Sequence, residues 1–174
     1  AFKSLFKKSV REQGGYSISL AAPVLPGLPD LYVVMPGFMP VLLEAKSIPR
    51  TTTKFNRKIG YSPMQLNYAK GVNTVQPYAM MGLIGVNYGG QYYAVLAPIF
   101  EGENRISNET LELCNKVIRQ PNGFDVRLLF EQSLIPRIVS NDDMELRRIK
   151  RGIVEQTGAP ASIANDLAIL GQNS

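Results

Sequence analysis

Apolar and polar positions along the chain fall into short, sharply bounded blocks. Ser4–Gln13 carries Leu5, Phe6 and Val10 at helical spacing, with Lys7, Lys8 and Arg11 on the other side, and Gly14-Gly15 ends it. Tyr16–Leu20 alternates as a strand does. Ala21–Gly27 is a proline-rich loop, Leu31–Met35 an apolar strand, Pro36-Gly37 a turn, and Val41–Lys46 a second strand. That second strand is apolar until its last residues, so it belongs at the centre of a sheet covered on both faces. Ser62 and Pro63 have the residue types of an N-cap and first helical position, and the helix they open is expected to reach Gly71. Ala79–Val86 and Tyr92–Leu96 are two more strands, with Asn87-Tyr88-Gly89-Gly90 as the hairpin turn between them.

The later blocks are weaker. Glu101–Asn104 is an acidic loop. Asn108–Arg119 is expected to be an amphipathic helix, Pro121-Asn122-Gly123 a turn, and Phe124–Phe130 a short strand or helical start. Asp142–Thr157 has acids early and Arg147, Arg148, Lys150 and Arg151 later, an order that suits a helix dipole. Pro160–Leu170 is a last short helix. The two resemble a helix-turn-helix only faintly, and a docking or dimerising appendage is the preferred expectation. The expected division is a core over 1–98 and a mostly helical extension over 99–174 that packs on the core and serves dimerisation or DNA contact.

Composition narrows the chemistry. The chain of 174 residues has no histidine and one cysteine, Cys114. Histidine-based triads, histidine metal sites, cysteine metal clusters and an internal disulfide are therefore excluded. Hydrolytic chemistry has to run on carboxylates, lysine, tyrosine and a hard metal. No apolar run is long enough to span a bilayer, and the N-terminus lacks a signal-peptide core, so a cytoplasmic protein is expected. The formal charge is +5, unevenly placed. Residues 1–70 hold ten Lys/Arg against three acids, a net +7, and the remainder is −2. A basic half around a few carboxylates suits a phosphate backbone as partner.

The acids of that half stand at chosen places. Asp30 opens the strand Leu31–Met35, and Glu44 and Lys46 end the strand Val41–Lys46. Residues i and i+2 of a strand share a face, so Glu44 and Lys46 project together, and an antiparallel neighbour can bring Asp30 beside them. Two neighbouring carboxylates repel, and a hard divalent cation relieves that cost. The ammonium then offsets charge that develops during attack on a phosphodiester. The plainer alternative is a β-hairpin with a surface Asp and a surface Glu/Lys pair. Ser47–Gly60, with Arg50, Lys54, Arg57 and Lys58 and no acid, is expected to be a flexible loop over the pocket that clamps DNA phosphates.

Pro29-Asp30 followed by Glu44-Ala45-Lys46 resembles the PD-(D/E)xK nuclease signature. The stretches GLPDLYVV and LLEAKS with a downstream glutamine resemble its VRR-NUC branch, which includes phage-encoded and structure-specific DNA nucleases. The resemblance covers Phe2 to Pro98. It implies an α/β fold, a restriction-endonuclease-like mixed sheet flanked by helices in the order α-β-β-β-α-β-β, here with a helical C-terminal appendage. It implies an endonuclease dependent on Mg²⁺ or Mn²⁺, acting on DNA and in several members on branched DNA such as a Holliday junction. Asp30, Glu44 and the Ala45 carbonyl would hold the metal, and Lys46 and Gln65 would serve the water and phosphate. Lys3, Lys7 and Lys70 join the basic loop as expected DNA contacts. Resolvase-like relatives act as dimers, so a homodimer is a further expectation, as is the cytoplasm of a bacterial host for a phage-encoded chain. The chain departs from the pattern at one point. The family has roughly E-S-x-F in its first helix, and this chain reads Lys3-Ser4-Leu5-Phe6. Either Glu12 completes the metal site, or fewer ligands suffice, or the chain binds nucleic acid without cutting it. RNA is a weaker alternative substrate.

Overall fold

A computed structural model of the chain describes residues 1–20, 25–51, 53–89, 91–113, 117–118, 123–138, 149 and 152. The chain divides into two compact units, Ala1–Arg137 and Ile138–Ser174. The helices expected over 142–157 and 160–170 lie outside the described residues, apart from Ile149 and Gly152, and so does Cys114.

The first unit is built on helix α1 (Phe2–Glu12), strands β1 (Tyr16–Ser19), β2 (Leu31–Val34), β3 (Val41–Thr51) and β4 (Asn56–Lys58), and helix α2 (Pro63–Val75). Strands β5 (Met80–Tyr88), β6 (Gln91–Pro98) and β7 (Arg105–Ser107) follow, then helix α3 (Asn108–Leu113), strand β8 (Val117–Ile118) and helix α4 (Val126–Glu131). The main sheet runs β1-β2-β3-β5-β6-β8, and β4 pairs with β7 in a separate ribbon. All pairings are antiparallel except β3 with β5, which are parallel because α2 carries the chain back across the sheet. With β4 set aside as an insertion, the order is α-β-β-β-α-β-β. It is the restriction-endonuclease-like mixed sheet expected from the sequence.

Side-chain alternation gives this sheet two layers. Val41 and Leu43 of β3, Met81 and Leu83 of β5, and Ala94 and Leu96 of β6 meet Phe6 and Val10 of α1 and Val126, Leu129 and Phe130 of α4. Ile48, Ile84, Val86, Tyr93 and Val95 point the other way and meet Phe55, Ile59, Ile106 and Leu111. Burying a side chain such as Leu43 or Leu83, both fully shielded, contributes about 1.5–3 kcal/mol. Glu44 and Lys46 alternate with Leu43 and Ala45 and therefore leave the α1 side of the sheet altogether.

Two expectations change. Asn108–Arg119 is not one helix: α3 is described over Asn108–Leu113, and Val117-Ile118 is an edge strand on β6. Neither is Ser47–Gly60 a free loop. β3 runs on to Thr51 because it keeps pairing with β5, Asn56–Lys58 pairs with β7, and Phe55 is locked to Asn108 by hydrogen bonds in both directions. The apolar content of Ile48, Phe55 and Ile59, all buried, outweighs the basic residues between them. Beyond residue 98, Phe124, Val126, Leu129 and Phe130 sit in the main cluster. Phe124–Phe130, left open between strand and helix, enters α4, capped by Asp125, whose side chain accepts from the Leu128 N–H.

Candidate active site

Separate segments deliver side chains to Glu44–Lys46 in the first half of β3. Asp30 arrives from the loop before β2. Gly27, at φ +89°, makes the turn ahead of it, and a Cβ there would come within 2.9 Å of Met64 Cβ on α2. Only glycine suits both the left-handed backbone and the close approach. Asp30 Oδ2 accepts the Ala45 N–H at 3.0 Å, and Oδ1 accepts Lys3 Nζ at 2.8 Å. In extended backbone a residue's N–H and C=O face the same neighbour, so the Ala45 carbonyl opens toward the Asp30 side.

Glu44 and Lys46 stand on one face as the alternation requires. Lys46 Nζ lies 3.1 Å from Glu44 Oε1. Glu44 is only 4% exposed. Burial pushes its pKa above the ordinary glutamate value, the Lys46 hydrogen bond opposes this, and the Asp30 charge adds to the rise. Gln65 completes the set from the first turn of α2. Its Nε2 donates to Glu44 Oε1 at 2.5 Å, and its Oε1 accepts both Lys46 Nζ at 3.3 Å and the Ser62 N–H at 2.9 Å. Ser62 Oγ in turn accepts the Gln65 N–H at 3.2 Å, closing a capping box.

Tyr61 also belongs to this site, and the sequence reading missed it. Its ring lies under Lys46 Nζ, 5.5 Å from ring centroid to nitrogen. Its hydroxyl is buried with no hydrogen-bond partner and sits against Gly82, the β5 residue opposite Glu44, where any Cβ would overlap it. Burial first, then the Glu44 charge, raises its pKa, so it remains a protonated donor. The sequence signal was available in Gly82, an interruption of an apolar strand that marks close approach by another group.

Glu12 is not brought to the site. It pairs with Lys8 at 3.6 Å on the exposed side of α1. Lys3 and Glu12 are nine residues apart, which in an α-helix is half a turn out of phase and about 13 Å along the axis. Lys3, not an acid, faces Asp30. The described residues hold no cluster of three or more acids able to bind a metal.

The basic residues divide. Lys3 and Lys7 share one face of α1, and Lys7 Nζ donates to Ser19 Oγ at 2.9 Å. Arg50 lies within β3, Lys54 and Arg57 are exposed around β4, and Lys58 lies 4.0 Å from Glu103. Lys70 is paired with Glu101 at 2.7 Å on the exposed surface of α2, which holds its pKa up. Among the described residues no helix is long and apolar enough to cross a membrane.

No protein-family model matches the chain, and no curated protein matches it. Among solved structures it is similar to Archaeoglobus fulgidus Hjc, a Holliday junction resolvase from an archaeal hyperthermophile. The two share 13% identity at a TM-score of 0.43, over 64% of this chain and 90% of that one. A likeness that slight transfers no function, and the chemistry has to be judged on the side chains themselves.

Proposed function

We propose that this chain is a metal-dependent DNA endonuclease that hydrolyses phosphodiester bonds. The observation that carries the proposal is that Glu44, Lys46 and Gln65, from β3 and α2, share one hydrogen-bonded group, while Asp30, from the loop before β2, accepts the N–H of Ala45 between Glu44 and Lys46. The donor set fits a hard divalent ion. Asp30 and Glu44 offer carboxylate oxygens and Ala45 a carbonyl, and the raised pKa of Glu44 marks a buried charge that a cation would relieve. Mg²⁺ commonly binds through one or two carboxylates, waters and substrate phosphate, so two acids suffice. When bound, Mg²⁺ or Mn²⁺ supplies an acidified water and polarises the phosphoryl oxygens.

The residues of the chain do the rest. Lys46 presents a fixed positive charge to the phosphate, stabilising the charge that builds as the P–O bond breaks. Gln65 cannot titrate at neutral pH, and its amide orients water or phosphate through whichever of its contacts the substrate replaces. Lys3 and Lys7 on α1 and the basic residues from Arg50 to Lys58 supply the phosphate contacts that hold a duplex. The sequence resemblance extends the proposal to branched DNA and to a dimer.

The test is cleavage of supercoiled, linear and four-way-junction DNA by the purified chain, with and without Mn²⁺. Metal-dependent nicking or junction resolution is the expected result. One observation favours a second reading, a nuclease scaffold that binds nucleic acid without cutting it: a lysine, not an acid, contacts Asp30. Retarded but uncut DNA in every condition would establish that reading instead.

A further inference from the structure

We propose that Lys3 is a positioning residue that withholds Asp30 from the metal until a nucleic-acid phosphate draws its ammonium away, so that metal and DNA bind cooperatively. The inference rests on the nuclease reading and adds an order of assembly to it.

Both oxygens of Asp30 are engaged: Oδ2 by the Ala45 N–H and Oδ1 by Lys3 Nζ. The Ala45 contact is backbone and fixed by β3. The Lys3 contact is a side chain from another element, 40% exposed, on a carboxylate 26% exposed. An ion pair that open to water is weakly held, and a lysine ammonium on a flexible stem exchanges partners readily. A divalent ion at Asp30 Oδ1 would meet the ammonium at contact distance, so the two cations exclude each other. A DNA phosphate gives Lys3 a replacement partner, with counterion release in its favour. Lys46 does not play this part, because it shares β3 with Glu44 and is held by Gln65 and Tyr61 as well. Once the phosphate holds Lys3 aside, each ligand raises the affinity of the other by the same factor.

The experiment is Mn²⁺ titration by calorimetry, without DNA and with a phosphorothioate duplex that resists cleavage. Wild type, Lys3→Ala, Lys3→Arg and Lys8→Ala are compared. Without DNA, Lys3→Ala should bind Mn²⁺ about fivefold or more tightly than wild type. Lys3→Arg restores a cation at Asp30 and should bind like wild type. Lys8→Ala removes the same charge from the other side of α1 and should also match wild type. The duplex should tighten Mn²⁺ binding in wild type and do so far less in Lys3→Ala. Equal Mn²⁺ affinity in wild type and Lys3→Ala, with and without duplex, would overturn the role of Lys3 and leave the nuclease reading standing. No Mn²⁺ binding by any variant at millimolar concentration would overturn both.

Discussion

Gln65 donates its side-chain amide to Glu44 across 2.5 Å while the oxygen of the same amide accepts the Ser62 backbone N–H at 2.9 Å. The cap that starts α2 is therefore also the strut that aims Gln65 at the carboxylate. Ser62→Ala removes the reciprocal half of the box. It should destabilise the protein by about 1 kcal/mol and leave most of the cleavage intact, because the Ser62 backbone N–H still holds the Gln65 side chain. Gln65→Ala should show a similar stability loss with a deeper loss of cleavage. Thermal melting and a plasmid-nicking assay on the same preparations check both.

Asp30→Ala and Lys46→Ala should abolish cleavage while DNA binding survives. For Lys46 the loss of one preorganised electrostatic group predicts a fall of about a hundredfold or more in rate. Gel retardation beside the nicking assay separates binding from chemistry. Full activity in either variant would remove the assignment.

Gly82 and Tyr61 form a lock that can be tested by pairing. Gly82→Ala puts a methyl into the Tyr61 hydroxyl, an overpacking that should cost about 1–3 kcal/mol. Tyr61→Phe removes a buried hydroxyl that has no partner, so alone it should be neutral or slightly stabilising. The double variant should recover much of the Gly82→Ala loss. Urea denaturation of all four proteins measures the coupling, and additive effects would contradict the geometry.

Glu44 makes metal-free stability depend on pH. Its native pKa is raised, so the folded state holds its proton more firmly than the unfolded chain does. The resulting stabilisation is complete below the ordinary glutamate pKa and is lost as the pH rises through the raised native value. Glu44→Gln keeps the shape and removes the charge. Without metal it should gain stability over wild type progressively as the pH rises through that window, and lose cleavage at every pH. Melting curves across a pH series with a chelator present check the sign.

Much of the scaffold was legible because its signals are local. The apolar run Leu31–Met35, the Ser62-Pro63 helix start and the turn signal between Ala79–Val86 and Tyr92–Leu96 all act within a few residues, and a strand, a helix and a hairpin follow from them, with Asn87 and Tyr88 of the expected turn drawn into β5. Asp30, Glu44 and Lys46 could be grouped for the same reason, since strand parity and an antiparallel neighbour place them together, whereas Gln65 joined them through the family resemblance. What escaped depends on distant partners. The pairing of Asn56–Lys58 with β7 needs residues about fifty positions away, and a run of basic side chains hides that Phe55 and Ile59 are core. Glu12 was weighed as a ligand because it is the acid nearest in sequence, whereas helix phase carries it to the opposite side. Tyr61 escaped because a strand glycine reveals that something is close without revealing what.

The alternation along β3 has one more consequence. Val41, Leu43 and Ala45 face the apolar layer under α1, and Glu44 and Lys46 between and beside them face the other side. Sliding this strand by a single residue against β2 or β5 would drive a carboxylate and an ammonium into the oily layer and put Leu43 among the polar groups of the site. A mis-threaded chain is therefore disfavoured by the cost of burying those charges. Folding proofreads the chemistry, because any molecule that attains its tertiary structure already has Glu44 and Lys46 turned the right way.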